Sequence, residues 1–125
     1  MSKGIDDLKI YRMAVRLEVF IYRVTDKFPV DEKFRSIDQL RRSSASVSDN
    51  ISESYHRFHY QDKINRIYIA RGEAGETRDG IMKAHLKGFT SKAINDFINI
   101  KYTELIMGIN GYINYLKKQK YPKDS

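Results

Sequence analysis

Apolar residues recur every three or four positions through most of this chain, and three short breaks divide the pattern into four segments. This spacing matches an α-helix, with about 3.6 residues per turn, and not the alternation of a β-strand. We predict helices over residues 7–27, 32–55, 61–86 and 91–118, with a basic, frayed tail at 119–125. Because short connections place consecutive helices antiparallel, the pattern predicts an all-α, up-down-up-down four-helix bundle.

The breaks between the segments carry residues that begin or end helices. Pro29 disfavours a helical backbone at the residue before it, which ends the first helix. The acidic pair at 31–32 suits the N-terminus of the second helix. Gly88 is placed as the C′ residue of the third helix, and either Thr90 or Ser91 can cap the fourth.

The composition agrees with one folded domain over residues 1–125, since domains usually have about 100–200 residues. With two prolines and seven glycines, the chain lacks the turn residues that a β-sandwich needs. Cysteine is absent, which excludes disulfides, thiolate metal sites and a cysteine nucleophile. No apolar run approaches the about 20 residues of a membrane helix, and the N-terminus has no signal-peptide core. We therefore expect a cytoplasmic protein without membrane contact.

The first predicted helix carries a second apolar row beside the stripe that faces the core. A monomeric bundle has no use for such a row, and exposed apolar rows often mark contacts between proteins. Scattered apolar surface residues are the ordinary alternative. The row predicts a subunit interface in a homo-oligomer. Its residues are Tyr11, Val15, Val19 and Tyr22.

The remaining flank of the same helix is basic and contains no acidic residue. The net charge of the chain is +7, which suits an acidic partner. A row of cations along one helix is typical of proteins that contact a phosphate backbone; a solvated charged face is the alternative. This basic ridge consists of Lys9, Arg12, Arg16, Arg23 and Lys27.

The second and third predicted helices are rich in small residues. Six serines lie between positions 43 and 54, although serine is a mediocre helix former. Small side chains let neighbouring helices approach closely. We expect Gly72 and Gly75 of the third helix to serve the same close packing. The predicted core stripe of the third helix includes Met82 and Leu86.

No complete catalytic constellation is visible, so we expect a protein without enzymatic activity, cofactor or bound metal. His56 and His59 have a spacing that suits a shared metal ion, but no third ligand lies near them in the sequence. Arg78 and His85 resemble the Arg-x(4–6)-His pattern of helical ribonucleases called HEPN domains, which predicts an acid–base role for His. The alternative is structural: Arg71, Arg78 and His85 fall within the third helix's stripe as partly buried cations paired with carboxylates.

Aromatic residues at the second break offer another place for nucleic acid. Single-strand binding proteins stack bases on aromatic side chains that lie beside basic ones. Tyr55, Phe58 and Tyr60 lie close to Arg57 in the sequence. They form an alternative stacking platform at one end of the bundle.

The stretch at residues 39–53, QLRRSSASVSDNISE, is the most specific pattern in the chain. It resembles the four helix bundle protein family of bacteria. That family includes proteins encoded by intervening sequences of 23S rRNA genes and the accessory variability determinant of diversity-generating retroelements. Phe28-Pro29 followed by Glu32 is similar to the family's start of helix 2, and residues 68–73, YIARGE, are similar to its helix 3 signature.

The resemblance implies a ring-like homopentamer that binds nucleic acid, with ribosomal RNA or, in the retroelement branch, a reverse transcriptase as a further partner. The resemblance also implies that Arg41 and Arg42 contact the phosphate backbone of the nucleic acid. The alternative for both residues is a structural ion pair within the protein. The chain departs from the family at Arg35 and Ser36, where Gly-Leu is usual, and at Ser54, where Gly is usual. These departures leave the fold unchanged and bear on two local features, the geometry of the turns and the residue at which the second helix ends.

These features together predict a non-enzymatic, self-associating bundle that binds RNA or DNA. Binding is expected to be electrostatic and largely independent of sequence, because no motif that reads base edges is present. The competing interpretation is a scaffold that binds an acidic protein and no nucleic acid. Its basic ridge would look the same in the sequence.

Overall fold

Four α-helices make up the molecule. The computed structural model describes residues 4, 5 and 8–121. The helices are α1 (Lys9–Thr25), α2 (Asp38–His56), α3 (Tyr60–Leu86) and α4 (Lys92–Lys120). This part of the chain contains no β-strand, and none of its helices is long and apolar enough to cross a membrane. The prediction of an all-α four-helix bundle is confirmed.

The connection between α1 and α2 is longer and less regular than the sequence predicts. Pro29 is extended, a 3₁₀ turn follows at Val30–Glu32, and a π-helical turn at Lys33–Ile37 leads into α2. Within the π turn the backbone of Arg35 leaves the helical region, with φ −122° and ψ −108°. The second helix therefore begins at Asp38, later than predicted, and the acidic pair at its expected N-terminus lies in the 3₁₀ turn instead.

The connection between α3 and α4 follows its sequence signals. Gly88 has φ +85°, a left-handed conformation that glycine adopts without strain, and its N–H donates to the carbonyl of His85 at 2.9 Å. The Ser91 hydroxyl accepts the N–H of Ile94 at 3.2 Å. The roles predicted for Gly88 as the C′ residue and for Ser91 as the cap of α4 are thus confirmed.

A continuous apolar core fills the space between the helices. Around the bundle, α1 packs against α2 and α4, and α3 packs against the same two helices. The helix with the basic ridge therefore lies diagonally across the bundle from α3. Fully buried core residues include Ile21, Val47, Ile51, Ile67, Ile81, Ile98, Leu105 and Ile109.

The contact between α2 and α3, which we call the α2–α3 seam, contains several small residues. On α3 the buried residues Ala70, Ala74, Thr77, Ile81 and Ala84 follow the alternating four- and three-residue steps of a coiled coil, and all but Ile81 are small. The hydroxyl oxygens of buried Ser43 and Thr77 lie 2.7 Å apart across the seam. The predicted close approach of helices through serine is therefore present here.

Two expectations for α3 are wrong. Met82 and Leu86 are exposed. The buried residues of α3 repeat with a period near 3.5 residues, and the face of the helix that they form does not include these two positions. Gly72 and Gly75 do not serve close packing either, since a Cβ at each would meet no other group within 4 Å. They open instead onto a groove of about 440 Å³, lined in part by Glu76 and Asp79.

Candidate nucleic-acid interface

The basic ridge lies at the surface of the bundle. Lys9, Arg16, Arg23 and Lys27 are exposed, and none of them forms an ion pair with a carboxylate of the described residues. Arg12 is exposed as well but has an interaction of its own. From Lys9 to Arg23 the ridge follows about 20 Å of helix. Its charge is thus available to a partner over that length.

Arg41 lies between α1 and α2 and joins the two helices. Its Nε donates to Thr25 Oγ1 at 3.0 Å and its Nη2 donates to the Tyr22 carbonyl at 3.3 Å. Asp26 lies 3.7 Å from the guanidinium, and the Tyr22 ring centroid lies 3.9 Å from its central carbon. These contacts support the structural alternative for Arg41. Arg42 stays at the surface, 3.2 Å from Asp38 one helical turn earlier.

The apolar row predicted as a subunit interface is only half accessible. Val19 is 44% exposed and Tyr22 57% exposed. Tyr11 and Val15 are half-buried, and Tyr11 packs against the core. A second apolar surface lies on α4, where Ile100 is 57% and Met107 is 67% exposed. This surface was not predicted from the sequence, although its residues stand seven apart and opposite the core stripe of α4.

The contact between α1 and α4 leaves an open space, which we call the α1–α4 cleft. Its volume is about 390 Å³. Four apolar residues, Met13, Leu17, Phe20 and Phe97, form part of its lining. Three cations and one carboxylate, Lys9, Arg16, Lys101 and Glu104, complete the lining. Two residues of the basic ridge, Lys9 and Arg16, therefore belong to the cleft as well.

Close contacts bound the cleft along the helices. At one end a Cβ on Gly108 would lie 2.9 Å from Ile10 Cγ2. At the other end the rings of Phe20 and Phe97 lie 5.2 Å apart at a tilt of 55°. The Nζ of Lys101 lies 5.7 Å from the Phe97 ring centroid. Phe97 and Lys101 were not predicted from the sequence; their spacing by one helical turn on the outer side of α4 is the signal that could have identified them.

The residues of the alternative stacking platform lie at the α2–α3 connection. Phe58 and Tyr60 are exposed and Tyr55 is half-buried, but Arg57 is paired with Glu53 at 3.2 Å. His56 and His59 are exposed beside aromatic rings. Among residues 4, 5 and 8–121, no group of three or more His, Asp and Glu side chains is arranged to hold a metal ion.

The partly buried cations of α3 have neutral partners, so the expected pairing with carboxylates is wrong. Arg71 donates to Asn110 Oδ1 at 2.8 Å and Arg78 donates to Thr103 Oγ1 at 3.2 Å. His85 Nδ1 lies 2.9 Å from the carbonyl oxygen of Thr90. Because these side chains remain half-exposed, water reduces the need for a compensating carboxylate. All three tie α3 to α4 or to the connection between them.

One polar contact lies between α1 and α2, near the buried Tyr102 of α4. The Ser48 hydroxyl donates to Glu18 Oε1 across the α1–α2 contact. Burial, and next the charge of Glu18, raise the pKa of the Tyr102 phenol. Tyr102 is 1% exposed, so its phenol stays protonated at neutral pH and acts as a core residue.

The fold and this surface define the class of protein: an all-α four-helix bundle with a cationic flank on its first helix. The family model of the 23S rRNA-intervening sequence protein matches residues 6–111. The chain belongs to that family, in agreement with the resemblance seen in the sequence.

A solved structure supports the fold. The chain is similar to a protein of unknown function from the S23 ribosomal protein family of Bacteroides thetaiotaomicron VPI-5482. The TM-score is 0.78 at 24% sequence identity, and the match covers 84% of this chain and 95% of that one. No curated protein matches the chain.

Proposed function

We propose that this protein is a non-enzymatic, self-associating bundle that binds nucleic acid through the basic ridge. The observation that carries the proposal is the exposure of Lys9, Arg16 and Arg23 along one flank of α1, and of Lys27 just after its end, without a carboxylate partner in the described part of the chain. Membership of a family named for 23S rRNA intervening sequences favours a cytoplasmic process linked to ribosomal RNA. The alternative is a process of the retroelement branch of the family, in which the partner is a reverse transcriptase.

The physical basis of binding is the release of counterions from the phosphate backbone. Each cation that neutralises a phosphate makes the fall of log affinity with log salt steeper, by about 0.9 for a duplex and about 0.7 for a single strand. The ridge presents amines and guanidinium groups and no base-reading motif, so binding is expected to be independent of sequence.

The test compares two double variants. Arg23→Gln with Lys27→Gln removes two ridge cations that lie outside the α1–α4 cleft. Lys83→Gln with Lys118→Gln removes two exposed cations from α3 and α4 and serves as the control of equal charge. We expect the ridge variant alone to reduce the salt slope, by about 1.4–1.8 in total, in fluorescence anisotropy with random-sequence RNA and DNA.

Two outcomes contradict the proposal. If both double variants lower affinity equally, net charge and not the ridge determines binding. If the wild-type chain binds neither RNA nor DNA even at low salt, the scaffold that binds an acidic protein is the better interpretation.

Self-association is the second part of the proposal. Val19 and Tyr22 are the accessible residues of the predicted row, whereas Ile100 lies on the rival surface of α4. We propose that the row holds copies of the chain together in a ring-like pentamer, as the resemblance implies. Light scattering of Val19→Glu should show a smaller species, while Ile100→Glu keeps the parent mass; the reverse result would move the interface to α4.

The up-down-up-down order of the helices is also part of the proposal, and pairs of contacts support it. Across the α2–α3 seam, Ser43 contacts Thr77 while Ser54 further along α2 contacts Lys63 earlier on α3. Between α3 and α4, Arg71 contacts Asn110 and Arg78 contacts Thr103. In both cases, a higher residue number on one helix meets a lower number on the next.

We propose no catalytic step. Arg78 and His85, the pair that resembles a ribonuclease pattern, are bonded to Thr103 and to the Thr90 carbonyl. Purified protein should leave a labelled RNA intact. RNA cleavage that is lost in a folded His85→Ala variant would instead establish a ribonuclease.

A further inference from the structure

The α1–α4 cleft combines two properties that the basic ridge alone lacks. Its interior is apolar, with Met13 and Phe20 from α1 and Phe97 from α4, and its border is cationic. Phe97 is 45% exposed, so part of its ring is open to a ligand. Such a site suits a flat, apolar group attached to an anion.

We propose that the α1–α4 cleft receives an unpaired nucleobase, so that the nucleic acid bound by this protein is single-stranded. The inference rests on the proposed function and narrows its ligand class. Two residues of the basic ridge, Lys9 and Arg16, border the cleft. A strand whose phosphates follow the ridge therefore brings its bases to the mouth of the cleft.

Phe97 is the residue placed to stack on the base. Base–aromatic stacking tolerates every base, because each base has a π-face. Lys101 lies 5.7 Å from the ring centroid of Phe97 and 3.6 Å from Glu104. The carboxylate of Glu104 is thus paired within the cleft, which leaves Lys9 and Arg16 to meet the phosphates beside the bound base.

A duplex does not fit this site in the same way. Its bases are stacked and paired inside the helix, so a base reaches a pocket only after unpairing, which costs a few kcal/mol. A single strand has bases already free to enter. The ridge contacts both forms through phosphate, and the cleft adds affinity for the single strand alone.

A second copy of the chain is a poorer occupant of the cleft. A copy of the chain, whose net charge is +7, would bring further positive charge to Lys9, Arg16 and Lys101. Only Glu104 is available to offset those like charges among the lining residues. A polyanion instead complements Lys9 and Arg16, the two cations of the lining that have no carboxylate partner among the described residues.

The experiment measures affinity for oligothymidylate and for a duplex of equal length, with Phe97→Ala as the variant. Stacking on one aromatic side chain corresponds to about 5- to 150-fold in affinity, and we expect a loss of this size for the single strand only. Duplex affinity and the salt slope should stay unchanged. Ile100→Ala, an exposed apolar residue three positions along α4 and not among the cleft residues, is the matched control.

A second variant keeps the test independent of folding. Phe97→Leu retains apolar bulk against Phe20 and removes only the ring, so it should reproduce the single-strand loss with an unchanged circular dichroism spectrum. A 2-aminopurine base in the oligomer should be quenched by the wild-type protein and not by Phe97→Leu, since stacking quenches its fluorescence.

Equal affinity for both nucleic acids, or unchanged single-strand affinity in both Phe97 variants, would overturn the inference. A fall in oligomer mass in Phe97→Ala would overturn it too, because a second copy would then occupy the cleft. These outcomes differ from failure of the proposed function, in which the wild-type chain binds neither nucleic acid, or the ridge and control double variants lower affinity equally.

Discussion

The α2–α3 seam and the α1–α4 cleft are two contacts between neighbouring helices of one bundle, yet the buried side of the seam is closed by small side chains, whereas the cleft is open. The seam is made of buried serine, alanine and threonine, and Ser43 and Thr77 hydrogen-bond across it. The cleft is bordered by large aromatic and cationic side chains, and Phe20 and Phe97 meet only at one end.

The difference shows how side-chain size sets what a helix pair can do. Small residues bring two backbones together, and the contact is then filled by the helices themselves. Large residues hold the helices apart, and the space between them is open to solvent or a ligand. In this bundle the closed contact supports stability, while the open one carries the surface that we assign to binding.

The largest expected effect comes from adding volume to the seam. Ala74 is fully buried, so Ala74→Leu should lower the free energy of unfolding by about 1–3 kcal/mol through overpacking. Ala93, exposed near the start of α4, is the control, and Ala93→Leu should change stability by less than about 0.5 kcal/mol. Urea unfolding followed by circular dichroism measures both. Equal effects would mean that the seam is not tightly packed.

The next prediction concerns the closed end of the cleft. A Cβ on Gly108 would lie 2.9 Å from Ile10 Cγ2, whereas one on Gly111 meets no other group within 4 Å. Gly111→Ala should therefore stabilise the protein by up to about 1 kcal/mol through helix propensity. Gly108→Ala should be less stable than Gly111→Ala by about 1–3 kcal/mol, because the methyl group forces α1 away from α4.

Thermal unfolding of the two glycine variants checks this prediction. If Gly108→Ala and Gly111→Ala are equally stabilised, α1 and α4 are no closer at Gly108 than elsewhere, and the cleft has no closed end there.

A smaller effect is expected from the hydrogen bond across the seam. Thr77→Val keeps the volume and removes a hydroxyl that contacts Ser43 and donates to the Glu73 carbonyl. The free energy of unfolding should fall by about 1 kcal/mol. In a double-mutant cycle with Ser43→Ala, the coupling energy should be about 0.5 kcal/mol or more. Additive single effects would show that the two hydroxyls do not interact.

The smallest expected effect depends on pH. Burial, and next the charge of Glu76, raise the pKa of Glu73. The folded state then binds the proton more tightly than the unfolded state, so the ionised carboxylate destabilises the fold above that pKa. Glu73→Gln should stabilise the protein by less than about 0.5 kcal/mol at pH 7. The gain should disappear below about pH 4, where the carboxyl is neutral in both states.

Unfolding curves at the two pH values decide this prediction. A Glu73→Gln variant that is more stable at both, or at neither, would show that the Glu73 carboxylate is solvated like an ordinary surface group.

The helices and the basic ridge could be predicted because both depend on periodicity within one helix. The cleft could not, since it depends on the separation of α1 and α4, which arises from packing. The seam on α3 was missed for a different reason: Ala70 and Thr77 rank low in hydrophobicity, and Met82 ranks high, although it is the small residues that are buried. The irregular turn at Arg35 follows no residue type that ordinarily breaks a helix.

The open groove at Gly72 and Gly75 has a consequence for how this molecule moves toward a ligand. Glu76 and Asp79 line it in part, and α3 lies diagonally across the bundle from α1. Lys83 lines the groove too, so the groove carries charge of both signs, whereas the exposed residues of the basic ridge carry positive charge alone. A polyanion is therefore drawn to the α1 side of the bundle in preference to the groove side, and the protein meets it with α1 first.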